Sequence, residues 1–120
     1  MLPKQHRLLR SRDFARVRRR GRSASDPLLA LYVLPVRSPD VRVGFSVSKK
    51  VGKAVVRNRV KRRFREAVRQ ELPSIRPGLD LVFIARPSAA EASYWQIAEA
   101  VHAALRRTGA LARPAELSHA

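Results

Sequence analysis

The chain has 120 residues, 45% of them hydrophobic, and 26 Lys+Arg against 9 Asp+Glu give it a formal charge of +17. That length suits one domain, and that apolar content is too high for a disordered basic tail. With no cysteine, a disulfide scaffold, a thiol nucleophile and a Cys-ligated zinc site are excluded. The longest apolar run, Leu28–Leu34, is far short of the ~20 residues of a membrane-spanning helix.

In chain order, residues 1–10 read as a basic arm. No secretory apolar segment follows them, although the Arg-rich, acid-poor residues 1–25 have the composition of a mitochondrial presequence. Ser11 is placed to cap a helix over Arg12–Arg20 that ends at Gly21, with Phe14 and Val17 on one face. Asp26-Pro27 marks a turn. Leu28–Val36 reads as a buried strand and Val41–Val47 as an alternating one, and the two are expected to form a hairpin across Arg37–Asp40. A basic loop, Ser48–Lys53, leads into a helix over Ala54–Glu71. Leu79–Ala85, nearly all apolar, is expected to be a central strand. Ser88-Ala-Ala-Glu91 has capping-box form and is expected to open a last helix that runs to Arg107 and stops at Gly109. Tyr94, Ile97, Ala98, Val101 and Leu105 form its core stripe, and Trp95 is expected to pack. Residues 110–120 are expected to be a loose tail around one domain spanning 11–109. The class is α+β, with helices packed on one sheet.

Charge is concentrated. Residues 1–72 hold 21 Lys+Arg and 5 Asp+Glu, whereas residues 73–120 hold 5 and 4. Such a field attracts polyanions, nucleic acid first. At ~100° per residue, Val56, Val60, Phe64, Ala67 and Val68 share an arc of roughly 120° on the middle helix. Asn58, Lys61, Arg62, Arg65 and Arg69 lie on the far side, with Arg57, Arg59 and Arg63 on the flanks. Like charges three and four apart repel, and only Glu66 interrupts them between Val55 and Arg69. A neutralising polyanion is the simplest explanation.

Catalytic constellations are missing from the pattern. His6, His102 and His119 lack metal-ligand spacing, and Asp13, Asp26, Asp40 and Asp80 form no close pair in sequence. Ser46 and Ser48 read as strand-end polar residues, and Gly44, Gly52 and Gly78 form no phosphate-binding loop.

The segment Arg57-Asn-Arg-Val-Lys-Arg-Arg-Phe-Arg65 resembles the RNR motif of the bacterial ribonuclease P protein component. Ser11-Arg-Asp-Phe14, Leu31-Tyr-Val, Val43-Gly-Phe-Ser-Val-Ser-Lys-Lys-Val-Gly52 and Ile84-Ala-Arg86 resemble family segments in family order, so the likeness covers about residues 7–107. It begins inside the presequence-like stretch and argues against that reading.

The resemblance implies an αβββαβα fold, the kind also found in the second domain of a small ribosomal protein, with a left-handed β-α-β crossover around the RNR helix. A further strand then falls at Arg22–Ser25. It implies a cytoplasmic protein subunit of ribonuclease P, whose RNA hydrolyses precursor tRNA at the mature 5′ end with Mg2+ held mainly by that RNA. Contacts to the catalytic RNA are implied for Lys49, Lys50, Lys53, Arg57, Asn58, Arg59, Lys61, Arg62, Arg65 and Arg69. A cleft for the precursor's 5′ leader is implied at Phe14, Val17, Arg18 and Tyr32. Arg18 stands where the family often has an aromatic residue, and a cationic contact or an Arg–base stack would replace the ring there. The alternatives are a small ribosomal or general RNA-binding protein, which would lack the leader cleft, and a groove-reading DNA-binding protein, which would prefer duplex DNA.

Overall fold

The computed structural model describes His6 and residues 10–112. Its elements are α1 (Ser11–Arg20), β1 (Arg22–Ser25), β2 (Leu29–Pro35), β3 (Val41–Ser46), α2 (Ala54–Glu71), β4 (Leu79–Ala85) and α3 (Tyr94–Arg107). Short 3-10 turns at Leu72–Ser74 and Pro87–Glu91 follow α2 and β4. This is the αβββαβα order, including the additional strand at Arg22–Ser25.

The sheet runs β1-β2-β4-β3, and this corrects the expected hairpin. β2 and β3 are not neighbours, because β4 lies between them, antiparallel to β2 and parallel to β3. The true hairpin is β1–β2. Its turn is fixed by Asp26, whose Oδ1 accepts from the backbone N–H of Leu28 at 2.7 Å and of Leu29 at 3.0 Å. Physically, β4 takes the inner position because it is buried along almost its whole length on both faces. Crossing one intervening strand requires roughly 10 Å, well within the reach of the residues between Pro35 and Val41. The crossing is tied to the strand it passes: Val36 N–H donates to Gly78 at 2.9 Å, and Gly78 N–H donates to Asp40 at 3.1 Å. β3, α2 and β4 thus form a β-α-β unit with adjacent parallel strands.

Alternation divides the sheet into two faces. Leu29, Leu31, Val33, Val43, Leu81 and Phe83 face α2 and α3 and form the main core with Val60, Phe64, Val68, Ile97, Val101 and Leu105. Tyr32, Leu34, Val82 and Ile84 face the other way, against Phe14 and Val17 of α1. Helices therefore cover both faces.

Helix ends differ from expectation in two places. Arg10, not Ser11, is the N-cap of α1, and it contributes no side-chain bond. The capping box of α3 is Ser93–Gln96: Ser93 Oγ accepts from Gln96 N–H at 3.1 Å, and Gln96 Oε1 accepts from Ser93 N–H at 2.8 Å. Pro87 opens the 3-10 turn that takes up Ser88 and Glu91, and the Ser88 hydroxyl donates to the Pro27 carbonyl instead. At the other end, Gly109 takes φ +78°. Its N–H reaches Arg106 at 3.1 Å and that of Ala110 reaches Leu105 at 2.9 Å, a Schellman closure. Packing continues past this stop, with Ala110 buried and Leu111 bridged to Ile75. The remainder of the expected tail, and the arm apart from His6 and Arg10, lie outside the described residues.

Candidate nucleic-acid interface

α2 is amphipathic as its wheel predicts. Val60, Phe64, Ala67 and Val68 are buried, while Asn58, Arg62 and Arg69 are exposed and Lys61 and Arg65 half-buried. Its N-terminus is unusual. Lys53 is the N-cap with no side-chain bond, and the first turn contains no acid. Helix N-termini favour anions, so Lys49, Lys50 and Lys53 add positive charge where the helix dipole already supplies it. The combination destabilises the bare helix and suits phosphate.

The cations of this region divide into held and free. Arg59 donates to the Ala90 carbonyl at 3.3 Å and Arg63 to the Ala92 carbonyl at 2.6 Å, so the two flank arginines tie α2 to the Pro87–Glu91 turn. Arg69 is paired with Glu66 through two bonds, Nε–Oε2 at 3.0 Å and Nη2–Oε1 at 2.7 Å. These bonds, with a further one from Gln70, hold the Glu66 carboxyl down at about 2. A carboxyl lowered on folding stabilises above its unfolded pKa and loses that contribution as pH falls through about 2, so the pair persists at all milder pH. By contrast, Lys49, Lys50, Lys53, Asn58, Lys61, Arg62 and Arg65 have no side-chain partner among the described residues. The expected RNA-facing set therefore separates: Arg59 and Arg69 are engaged within the protein, and the free cations continue from the basic loop along α2.

The second surface lies across the sheet, between α1 and strands β2–β4–β3. Phe14 lies directly on Gly44, where an added Cβ would come within 2.4 Å of Phe14 Cζ. Only a residue without a side chain lets the ring approach the sheet this closely. Tyr32 is half-buried beside it, and the Arg18 guanidinium carbon sits 5.9 Å from the Tyr32 ring centroid. Arg18 thus meets the Tyr32 ring through a cation–π contact. Val17 corrects an expectation. It is fully buried against Val82, so it anchors α1 and offers no surface to a ligand.

Beneath this cleft is an ion-pair network that sequence reading missed. Asp80 is completely buried on β4, and Arg42, its register partner on β3, donates to it through Nε at 2.9 Å and Nη2 at 2.7 Å. Arg16 of α1 reaches the same carboxylate at 3.5 Å and Asp13 at 3.1 Å. The hydrogen bond to Asp80 holds the Arg42 pKa above its ordinary value. The available signal was an acid inside an otherwise apolar strand, which needs a partner. Arg42 on the polar face of the alternating strand was that partner.

Trp95 also departs from expectation: it is 77% exposed. His102 Nδ1 lies 2.7 Å from Glu71 Oε1, linking α3 to α2. Nδ1–H of His6 donates to the Val41 carbonyl at 2.6 Å, which brings that residue of the arm to the edge strand β3. Among the described residues no three His, Asp or Glu side chains gather as a metal site, and no helix is long and apolar enough to cross a membrane.

A small α+β domain with a row of free cations on the helix covering one face of its sheet and an aromatic cleft on the other has the make-up of an RNA-binding protein. The model of the family Ribonuclease P matches residues 2–109. The ribonuclease P protein component of Herpetosiphon aurantiacus is 46% identical over 106 residues, covering 88% of this chain and 86% of that one. The solved RNase P protein of Staphylococcus aureus superposes with a TM-score of 0.84 at 30% identity, covering 91% of this chain and 100% of that one. That of Thermotoga maritima gives 0.76 at 30% identity, covering 84% and 96%. The chain belongs to the ribonuclease P protein family. It is accordingly the protein component of a ribonucleoprotein endoribonuclease of tRNA 5′ maturation and associates with the ribonuclease P RNA. The ribosomal and DNA-binding alternatives fall away.

Proposed function

We propose that the chain holds two RNAs at once. Lys49, Lys50, Lys53, Asn58, Lys61, Arg62 and Arg65 contact the catalytic RNA, with Arg57 at their margin. Phe14, Tyr32 and Arg18 receive the 5′ leader of precursor tRNA. The observation that carries this reading is the placement of these surfaces on opposite faces of one sheet, so neither RNA obstructs the other. Phosphates pair with the free cations, and leader bases stack on the rings or on the Arg18 plane.

The described residues do not fit a magnesium site of the protein's own, since no three His, Asp or Glu side chains gather among them. On the cleft side, Asp13 and Asp80 are bridged by Arg16. We therefore assign the Mg2+ of the reaction to the RNA, and no protein side chain to catalysis. The setting is the cytoplasm, where bacterial tRNA is transcribed.

Reconstitution tests the reading. The full chain is added to a bacterial ribonuclease P RNA at low magnesium, and leader cleavage is measured. Stimulation is expected, and Phe14→Ala or Tyr32→Ala should weaken binding of precursor more than of mature tRNA. Absence of stimulation at every protein ratio would refute the role. Equal losses for both tRNAs would refute the cleft.

A further inference from the structure

Trp95, the sole tryptophan of the chain, is 77% exposed in the first turn of α3. Its ring meets Tyr94 edge-on, with centroids 5.1 Å apart and planes at 74°. Both rings line a groove of about 610 Å³ between α3 and α2, together with Ala98 from α3 and Glu66, Ala67, Gln70 and Glu71 from α2. Glu66 is the acid that accepts from Arg69, and Gln70 Nε2 donates to Glu66 Oε1 at 3.1 Å. Arg62 lies one turn before Glu66 on the same helix. The groove is thus continuous with the cationic row of α2.

An indole held by a neighbouring ring and left in water is suited to flat π-stacking. A second copy of this chain, carrying the same charge of +17, is repelled from such a site. The carboxylates of the groove, Glu66 and Glu71, likewise exclude phosphate, so an RNA seated on the neighbouring cationic row of α2 can offer it only a base. The polar side of the groove presents acceptor oxygens of Glu66, Glu71 and Gln70, the Gln70 amide N–H2 being turned to Glu66. Acceptors match a base that carries an exocyclic amine, as cytosine, adenine and guanine do, better than uracil, which has none.

We propose that Trp95 is a stacking platform for one unpaired, amine-bearing nucleobase of the ribonuclease P RNA, placed beside phosphates that lie on the Arg62–Arg65 row. The proposal rests on the reading of α2 as the face for that RNA and adds a base contact to it.

Because Trp95 is the sole tryptophan, its emission reports on this site alone. The full chain is titrated with an in-vitro transcript of a bacterial ribonuclease P RNA, and acrylamide accessibility is measured free and at saturation. Quenched emission and severalfold lower accessibility are expected in the complex. Trp95→Ala should weaken binding by about 5- to 150-fold, the range for losing one base–aromatic stack, with the salt slope unchanged. Trp95→Phe should recover most of that loss. A complex that Arg62→Ala still weakens but in which Trp95 stays fully accessible overturns the platform and leaves the RNA face standing. If Arg62→Ala and Arg65→Ala are also without effect, the RNA-face reading and the platform fall together. Protection that grows with protein concentration in the absence of RNA assigns the groove to a second copy and overturns the proposal.

Discussion

The two faces of the sheet treat charge in opposite ways. On the α1 side, Asp13, Arg16, Asp80 and Arg42 are joined to one another, and the charge is spent on placing a helix over a strand. On the α2 side, Lys61, Arg62 and Arg65 stand in a row without partners among the described residues. The ion-paired cations belong to the scaffold, and the unpaired row of α2 is left open to a ligand. Charge counts alone do not separate these roles, and geometry does. Mutations on the two sides should therefore differ in kind as well as in size.

The heaviest stability loss is expected from Asp80→Asn. It leaves Arg42, and Arg16 behind it, facing a buried amide. Removing one partner of a buried pair costs about 3–5 kcal/mol, and the partial exposure of Arg42 puts this case near ~3 kcal/mol. Chemical denaturation should show it as a lower midpoint. A loss under ~1 kcal/mol would mean that the pair behaves as a solvated surface bridge, and the contrast between the faces would lose one half.

Gly44→Ala follows. Its new methyl group pushes the Phe14 ring off the sheet, and because Phe14 is only half-buried the ring yields at about 1 kcal/mol, the low end of overpacking costs. Precursor tRNA affinity in the holoenzyme should fall while mature tRNA affinity holds. A precursor affinity unchanged by Gly44→Ala would remove Phe14 from the leader surface. Arg18→Ala removes an exposed cation–π contact and should cost about 0.5 kcal/mol of stability. The same precursor-over-mature comparison should respond to it, and an unchanged ratio would confine Arg18 to packing.

Much of this was legible in sequence, for identifiable reasons. The wheel of α2 located its buried stripe because that helix is long and strictly amphipathic. β4 was recognisable as central because its run is apolar on both faces. Strand order was not legible. Local pattern sees the turn at Arg37–Asp40 but not a strand inserted from residue 79, since pairing is non-local. The start of α3 was misread because two capping-box forms, at Ser88 and Ser93, lie five residues apart, and only the Pro87 turn decides between them. Asp13 and Asp80 are distant in sequence and meet only through Arg16. Trp95 sits one residue off the stripe that buries Ile97 and Val101, a displacement that single-residue propensity does not register.

The smallest expected change in stability carries the most information. Arg65 faces Lys61, Arg62 and Arg69 at helical spacings of three and four, and each such like-charge pair is destabilising by about 0.2–0.5 kcal/mol. Arg69 is already compensated by Glu66, which leaves two uncompensated repulsions. Arg65→Ala should therefore leave the free protein unchanged or raise its stability by about 0.5 kcal/mol, aided by the higher helix propensity of alanine. RNA affinity should move the other way, and where a phosphate contact is lost the salt slope should fall by about 0.7–0.9. Arg62→Ala should lose the same slope but gain no stability, because it also gives up an attraction to Glu66 one turn away. Opposite signs in stability and binding at Arg65 are the signature of a cation kept for a partner. If Arg65→Ala destabilises the free protein by as much as Gly44→Ala does, the α2 row is part of the scaffold, and the division between the two faces fails.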